Sequence, residues 1–381
     1  MMSETRKQGI VSPLIVSEER RYFMKKTVRL FIGSYTNMSW CLGEPGAGLY
    51  VCEFDEESGA ITCKDAIGGL TNPSFINYSP DRTRMYVVNE VQPINDAVGG
   101  ITTFGLDADG AVTRLGHTSS YGPSPCFLSP DRDGRFAYLT NYCGDCVVSI
   151  ACDENGVLTD LVQKVTFTGS GPDGERQDRP HPHSVVIDRE ERRIAVADLG
   201  TDSVHIFDLI EKDGRPEMVL NNTEKIPAGF GPRHSAFNAE GTKLYCTCEM
   251  GSAVCAFDYD KASGRLTLLQ TIPTLEAPCP GNCCSHIVIS PDGRFLYAGN
   301  RGHDSLAIFR IDPETGLLTF LETCDSRGRT PRNFSLDPTG KYMVVADQDS
   351  NTVAVFTRSE ETGLLTFLDS VHIPSPVFIS F

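Results

Sequence analysis

Short apolar runs, broken by turn residues, recur along the whole chain. Phe75-Ile76-Asn77-Tyr78 leads through Ser79-Pro80-Asp81 into Met85-Tyr86-Val87-Val88. The same phrase returns as Ile287-Val288-Ile289, Ser290-Pro291-Asp292-Gly293 and Leu296-Tyr297-Ala298. β-Branched and aromatic residues bounded by Ser, Pro, Asp and Gly predict antiparallel hairpins. No stretch sustains the helical period that an α/β alternative requires.

A zero set on the turn residue of each copy falls on Arg82, Gly134, Glu191, Gly241, Gly293 and Gly340, which lie 47 to 57 residues apart. Nine positions before each zero stand Pro73, Pro125, Pro182, Pro232, Cys284 and Pro331. Proline suits the first residue of a strand, where no ladder donor is needed. A second pair of short strands follows each hairpin, as at 306–311 with 317–321, and at 353–356 with 364–368. Four strands per repeat make a propeller blade. Near the start of the chain, 30–35 matches a second strand, and 49–54 and 60–62 match the third and fourth. The missing first strand stands at the far end, in 376–381. The expectation is an all-β, seven-bladed β-propeller with four antiparallel strands per blade. Its last blade is closed by the C-terminal strand joining the N-terminal ones, which removes a sheet edge. One domain spans 25–381. Residues 1–24 read as a disordered extension, with Met24 a candidate start.

Composition narrows the function. The chain is 40% hydrophobic and 22% charged, as soluble domains are. A net charge of −16 argues against nucleic-acid or anionic-membrane partners. No apolar run reaches the length of a membrane helix. The first residues carry Glu18, Glu19, Arg20 and Arg21 where a secretory leader needs an apolar core. A cytoplasmic protein is expected, and its 14 cysteines are read as reduced and buried. Cys143 and Cys146 have CxxC spacing and Cys283-Cys284 are adjacent, but no second pair completes a zinc site. Asp312 to Gly316 lacks alternating calcium ligands and reads as a turn. Neither a GxSxG elbow nor a P-loop occurs. No metal and no cofactor are expected.

The framework repeats, but two positions do not. A hairpin is expected to set the residues eight before and eight after its turn opposite one another, on one rim of the ring. Eight before stand Ser74, Cys126, His183, Arg233, Ser285 and Arg332; eight after stand Glu90, Tyr142, Leu199, Glu249, Arg301 and Gln348. His181, His234 and His286 lie within two residues of that ring. Each also has a structural reading. Arg332 bridges a carboxylate of the next blade, Glu90 caps a loop, Arg233 and Glu249 form an ion pair, and His181 stiffens a Pro-His-Pro loop. Tyr142 and Leu199 shape the wall.

The segments His181-Pro182-His183-Ser184, Gly231-Pro232-Arg233-His234, Asn300-Arg301-Gly302-His303-Asp304-Ser305 and Pro331-Arg332-Asn333-Phe334 carry a resemblance. With Ser290-Pro291-Asp292-Gly293-Arg294-Phe295-Leu296-Tyr297, they resemble the lactonase family of seven-bladed propellers from about Lys25 to Phe381. That family includes bacterial 6-phosphogluconolactonase and fungal carboxy-cis,cis-muconate cyclase. The resemblance implies a lactone site at one mouth of the ring. The cyclase's working His, two Arg and Glu fall on His183, Arg233, Arg301 and Glu249. His286 departs from the family, many of whose members carry an acid there.

On this reading a small anionic sugar lactone or sugar acid is the partner, and the protein is a monomer or weak homo-oligomer. The leading reaction is hydrolysis of 6-phosphogluconolactone, in the pentose phosphate pathway. His183 or Glu249 takes the proton of water, with His183 favoured because its ordinary pKa is near the working pH and Glu249 then orienting an Arg or the water; Arg233 and Arg301 hold the anionic group and the oxyanion. Glu90, His234, His286, Arg332 and Gln348 are expected to bind substrate. The alternatives are a muconate-lactonizing cycloisomerase and a non-catalytic interaction propeller, the latter requiring an apolar rim.

Overall fold

A computed structural model describes residues 26–91, 98–107 and 110–381. The extension expected over 1–24 lies outside the described residues. Seven four-stranded antiparallel sheets follow one another around a ring. In chain order, blade 2 spans 73–119, blade 3 spans 125–166, blade 4 spans 182–225, blade 5 spans 232–273, blade 6 spans 283–325 and blade 7 spans 331–372. Blade 1 is composite: Thr27–Ser34, Leu49–Asp55 and Ile61–Ile67 are completed on the inside by Pro376–Ser380. Three single-turn 3-10 segments are the only helix among the described residues.

The turn residues that set the repeat share one conformation. Arg82, Gly134, Glu191, Gly241, Gly293 and Gly340 all have φ between 53° and 71°, the left-handed region that favours glycine and that Arg82 and Glu191 occupy at some cost. The preceding polar residue closes each turn. Ser290 Oγ, for instance, accepts from Phe295 N at 2.9 Å. Five of the six register positions nine before the turn are prolines that open an innermost strand.

The expected pairing of the two variable positions is corrected. Pro73 pairs with Asn89, Pro125 with Asn141, and Pro331 with Asp347; the ladder then slips before the next pair. The residue eight before the turn therefore sits in a β-bulge, unpaired. The residue eight after donates its N–H to the carbonyl ten before, as Glu249 does to Gly231 at 2.7 Å. The two positions still share one end of the hairpin. The bulge frees the side chain at the eighth position from the strict alternation of a strand.

Apolar layers fill the gaps between blades. Ala195, Ala197, Val204 and Ile206 of blade 4 pack on Leu244, Cys246, Cys255 and Phe257 of blade 5. Tyrosines tie several blades to the next: Tyr245 Oη donates to Gly316 O at 2.8 Å, and Tyr297 Oη donates to Gly363 O at 2.7 Å. The closing strand is held on both sides. Ile379 N donates to Asn333 Oδ1 of blade 7 at 2.9 Å, and Ser380 Oγ bonds to Tyr78 Oη of blade 2 at 2.9 Å. A Cβ at Gly33 would lie 2.2 Å from Pro73 O, so the seam between blades 1 and 2 admits only glycine there.

Twelve cysteines are free as expected, but only six of them are buried, Cys126, Cys146, Cys246, Cys248, Cys255 and Cys284; the other six are half-buried. The expectation of reduced thiols is overturned for two: Cys52 and Cys63, cross-strand neighbours in blade 1, form a disulfide.

Candidate active site

The bulges and strand ends converge on one mouth of the ring, around a cavity of about 650 Å³. Eight of the twelve variable positions line it: Glu90, Cys126, Tyr142, His183, Arg233, Glu249, Arg301 and Arg332. Trp40, Ser124 and Arg176 from loops, Cys143 from a 3-10 turn and Cys283 at the start of a strand complete the wall.

Glu249 is the hub. Its Oε2 accepts from Arg233 Nε at 2.8 Å and Arg301 Nη2 at 3.0 Å, and its Oε1 from Arg176 Nη2 at 2.5 Å. Burial alone would raise its pKa. Arg301, Arg233 and Arg176 outweigh burial and hold the carboxyl well below the usual range. It is an ionised anchor with little basicity left. Arg233 is 2% exposed and also donates to Ser285 O at 2.9 Å. Burial and the Arg301 charge push its pKa down to about 10, so it remains cationic at neutral pH. Arg301 donates to Cys284 O at 3.0 Å and Cys283 O at 3.4 Å. The ion-pair reading of Arg233 and Glu249 is thus correct as geometry, and the pair is the middle of a larger cluster.

His183 lines both this cavity and a second one of about 20 Å³ beneath it. It is 7% exposed, and its Nδ1 has no partner in the protein. Burial, then the Arg233 charge, lowers its pKa well below the ordinary value, so the imidazole is neutral at neutral pH. Ser74 Oγ and His234 Nε2, also buried and without a protein partner, line the same small space. Its size and polar walls suit one water molecule.

Below that lies a floor of rings. Phe378, Phe75, Phe127, His234, His286 and Phe334 follow one another with centroids 4.6, 4.2, 5.1, 5.1 and 5.4 Å apart. His234 and His286 share a hydrogen bond, Nδ1 to Nδ1, of 2.8 Å. Burial and neighbouring Arg233 lower both pKa values, that of His286 to about 3. His234 and His286 therefore belong to the floor, outside the main cavity's wall. Gln348, 1% exposed, donates to Asp349 at 2.8 Å and is likewise not part of the wall.

Glu90 and Arg332 line the main cavity and, with His183 and Arg233, the small space beneath it. Glu90 Oε2 accepts from Tyr35 Oη at 2.9 Å. Arg332 does not bridge to a carboxylate of the next blade; its guanidinium lies 5.0 Å from the ring centres of both Tyr35 and Trp40. His181 stacks on Tyr142 at 4.4 Å and bonds to Asp178, which braces a loop as its sequence suggests. Burial raises the Cys126 pKa to about 12, so that thiol is no nucleophile at neutral pH.

The register of the repeat did not reach Arg176 and Trp40, because both lie off the hairpins. Tyr35 stands at blade 1's counterpart of Glu90, its N–H donating to Ser375 O as that of Glu90 does to Asn72 O, and escapes the register because the six turns used as zeros exclude the composite blade. One signal did point to Arg176. The widest interval in the repeat, 57 residues between Gly134 and Glu191, marks the long connection that carries it. Trp40 is the chain's one tryptophan, in the long loop between the second and third strands of blade 1.

Comparison with known proteins agrees over nearly the whole chain. A sequence profile described as "Lactonase, 7-bladed beta-propeller" matches residues 29–381. The 6-phosphogluconolactonase of Bacillus subtilis (strain 168) is 32% identical over 309 residues, covering 81% of this chain and 84% of the relative. That of Formosa agariphila is 33% identical over 313 residues, covering 81% and 86%. The solved periplasmic gluconolactonase of Pseudomonas aeruginosa superposes with a TM-score of 0.84 at 30% identity, covering 93% of this chain and 98% of that one. With the ring, its shared blade and its motifs all in agreement, the chain belongs to the lactonase family of seven-bladed β-propellers.

Proposed function

We propose that this protein hydrolyses a sugar lactone, with 6-phosphogluconolactone to 6-phosphogluconate the leading reaction. The carrying observation is a neutral, buried imidazole set beside an arginine cluster in a sugar-sized cavity. The names borne by the relatives support the substrate class. Water attacks the lactone carbonyl carbon while His183 accepts its proton. Arg301 and Arg233 stabilise the charge that grows on the carbonyl oxygen. Glu249 holds those guanidiniums in place and takes no proton. The ring C–O bond then breaks, and the departing ring oxygen takes the proton from His183. The product acid ionises into solvent.

An open binding platform fits less well, since the mouth holds buried charge where that function needs an apolar rim. No helix among the described residues is long and apolar enough to cross a membrane. The reading's setting is the cytoplasm, in pentose phosphate metabolism. The contrary observation is the Cys52–Cys63 bond, which belongs to oxidising compartments.

The test is lactone disappearance at neutral pH, corrected for spontaneous hydrolysis. His183→Ala is expected to lower kcat by about 10²–10⁴-fold, the contribution of a positioned base. Arg301→Ala is also expected to lower it. Variants that match wild type overturn the assignment. The working form of His183 is the free base, and its pKa is depressed in the folded protein. The rate should therefore hold as pH falls through the ordinary histidine range near 6.5 and drop only in more acid solution.

A further inference from the structure

Four arginines line the cavity, and three are already engaged. Arg176, Arg233 and Arg301 close on Glu249, and Arg233 and Arg301 also donate to backbone carbonyls. Arg332 differs from them. Among the described residues it has neither an ion pair nor a hydrogen bond, and its contacts are two aromatic rings. Tyr35, 1% exposed and bonded to Glu90, stands on one side of the guanidinium. Trp40 stands edge-on to Tyr35 at 5.2 Å and is 45% exposed at the mouth. The rings fix the position of the planar group and supply no counter-charge, so its N–H donors are left unused. Arg332 is half-buried on the cavity wall; Glu90 and Glu249 help to stabilise its charge but neither bonds to it, and a cation with unused donors favours an anionic ligand.

The charge count gives the kind of anion. Four arginines against Glu90 and Glu249 leave the wall with an excess of two positive charges, in a chain whose net charge is −16. A phosphate monoester carries about −1.5 to −2 at neutral pH. The cavity, about 650 Å³, has the volume of sites that enclose small metabolites.

We propose that Arg332, clamped by Tyr35 and Trp40, is the anchor for a phosphate group on the substrate and makes the site prefer a phosphorylated sugar lactone to its neutral parent. This rests on the lactonase reading above. The arginines then have separate roles. Arg233 and Arg301 serve the reacting carbonyl, and Arg332, which shares the small space beneath with Arg233 and His183, serves the phosphate.

Two measurements test it. The first is the ratio of kcat/KM for 6-phosphogluconolactone to that for glucono-1,5-lactone, in wild type and in Arg332→Gln. The substitution is expected to lower that ratio about 10- to 100-fold, the loss of hydrogen bonds to a charged group. An unchanged ratio overturns the proposal. The second is binding, read by the fluorescence of Trp40, the sole tryptophan. Wild type should bind 6-phosphogluconate more tightly than gluconate, and Arg332→Gln should erase the difference; a difference that survives overturns the anchor. Should the glutamine variant fail to fold, Arg332→Lys keeps the charge, loses the planar fork, and is expected to lower the same ratio several-fold. Wild-type protein that turns over neither lactone refutes the lactonase reading, and the fluorescence measurement still decides the anchor.

Discussion

Glu249 shows how a single side chain organises the mouth of the ring. Its carboxylate is 5% exposed and balances three guanidiniums. Glu249→Gln removes the charge and keeps the shape. Arg233 is then left buried without its counter-ion, which is the expensive way to break a buried pair. The expected destabilisation is about 3–5 kcal/mol, read from the urea midpoint at neutral pH; an unchanged midpoint would mean that the backbone carbonyls alone hold the arginines. At this scale the sequence was informative for a physical reason. A repeat constrains every position that packs or turns, so positions that vary inside it are free for chemistry. His183, Arg233, Glu249 and Arg301, which line one cavity, stand at such positions. Arg176 and Trp40 lie on connecting segments, where no internal copy exists for comparison.

At the scale of strands and turns, the repeat serves to bind one blade to the next. Tyr86, Tyr245 and Tyr297 each donate to a glycine carbonyl in the outer turn of the following blade, at 3.0, 2.8 and 2.7 Å. Tyr342 does the same to Glu57 O at 2.7 Å, across the join between blade 7 and blade 1. Tyr297→Phe deletes one such bond in a buried place and is expected to cost about 1 kcal/mol, seen as a lower urea midpoint with an unchanged m-value. A change in m would instead mean that the ring had loosened. Strands, turns and glycines were legible because each has a local residue signature. The bulge was not. It arises from how two strands pair, and the residues at that place, Ser74, Cys126, His183 and Arg233 among them, share no chemical feature.

The closed ring as a whole carries an acid liability. His183 and His234 are 7% and 5% exposed and have pKa values lowered well below the ordinary range by burial and by Arg233. In the unfolded chain both would take protons near pH 6.5. Below that pH the unfolded state binds more protons than the folded one, so stability falls as pH falls. Each histidine contributes about 1.4 kcal/mol per pH unit, until its folded pKa is reached. Urea unfolding between pH 7 and pH 5 should show this loss, and His234→Asn should reduce its slope by one proton; an unchanged slope would mean that His234 is charged in the fold. The number of blades and their shared seam could be read from the sequence, because a first strand was missing at one end and present at the other. The Cys52–Cys63 bond could not, since which cysteines meet depends on the register between strands.

That seam also orders events during synthesis. Pro376–Ser380 is the innermost strand of blade 1, whose other three strands are among the first made. Six blades can stack as they emerge from the ribosome, but blade 1 waits with its inner edge bare until Pro376–Ser380 has been made. Completion of the cavity floor, to which Phe378 contributes, therefore waits for this late strand. A nascent chain stalled just before Pro376 would hold every other strand of the ring and still be an open arc, with the unpaired strand Thr27–Ser34 for chaperones or proteases to find.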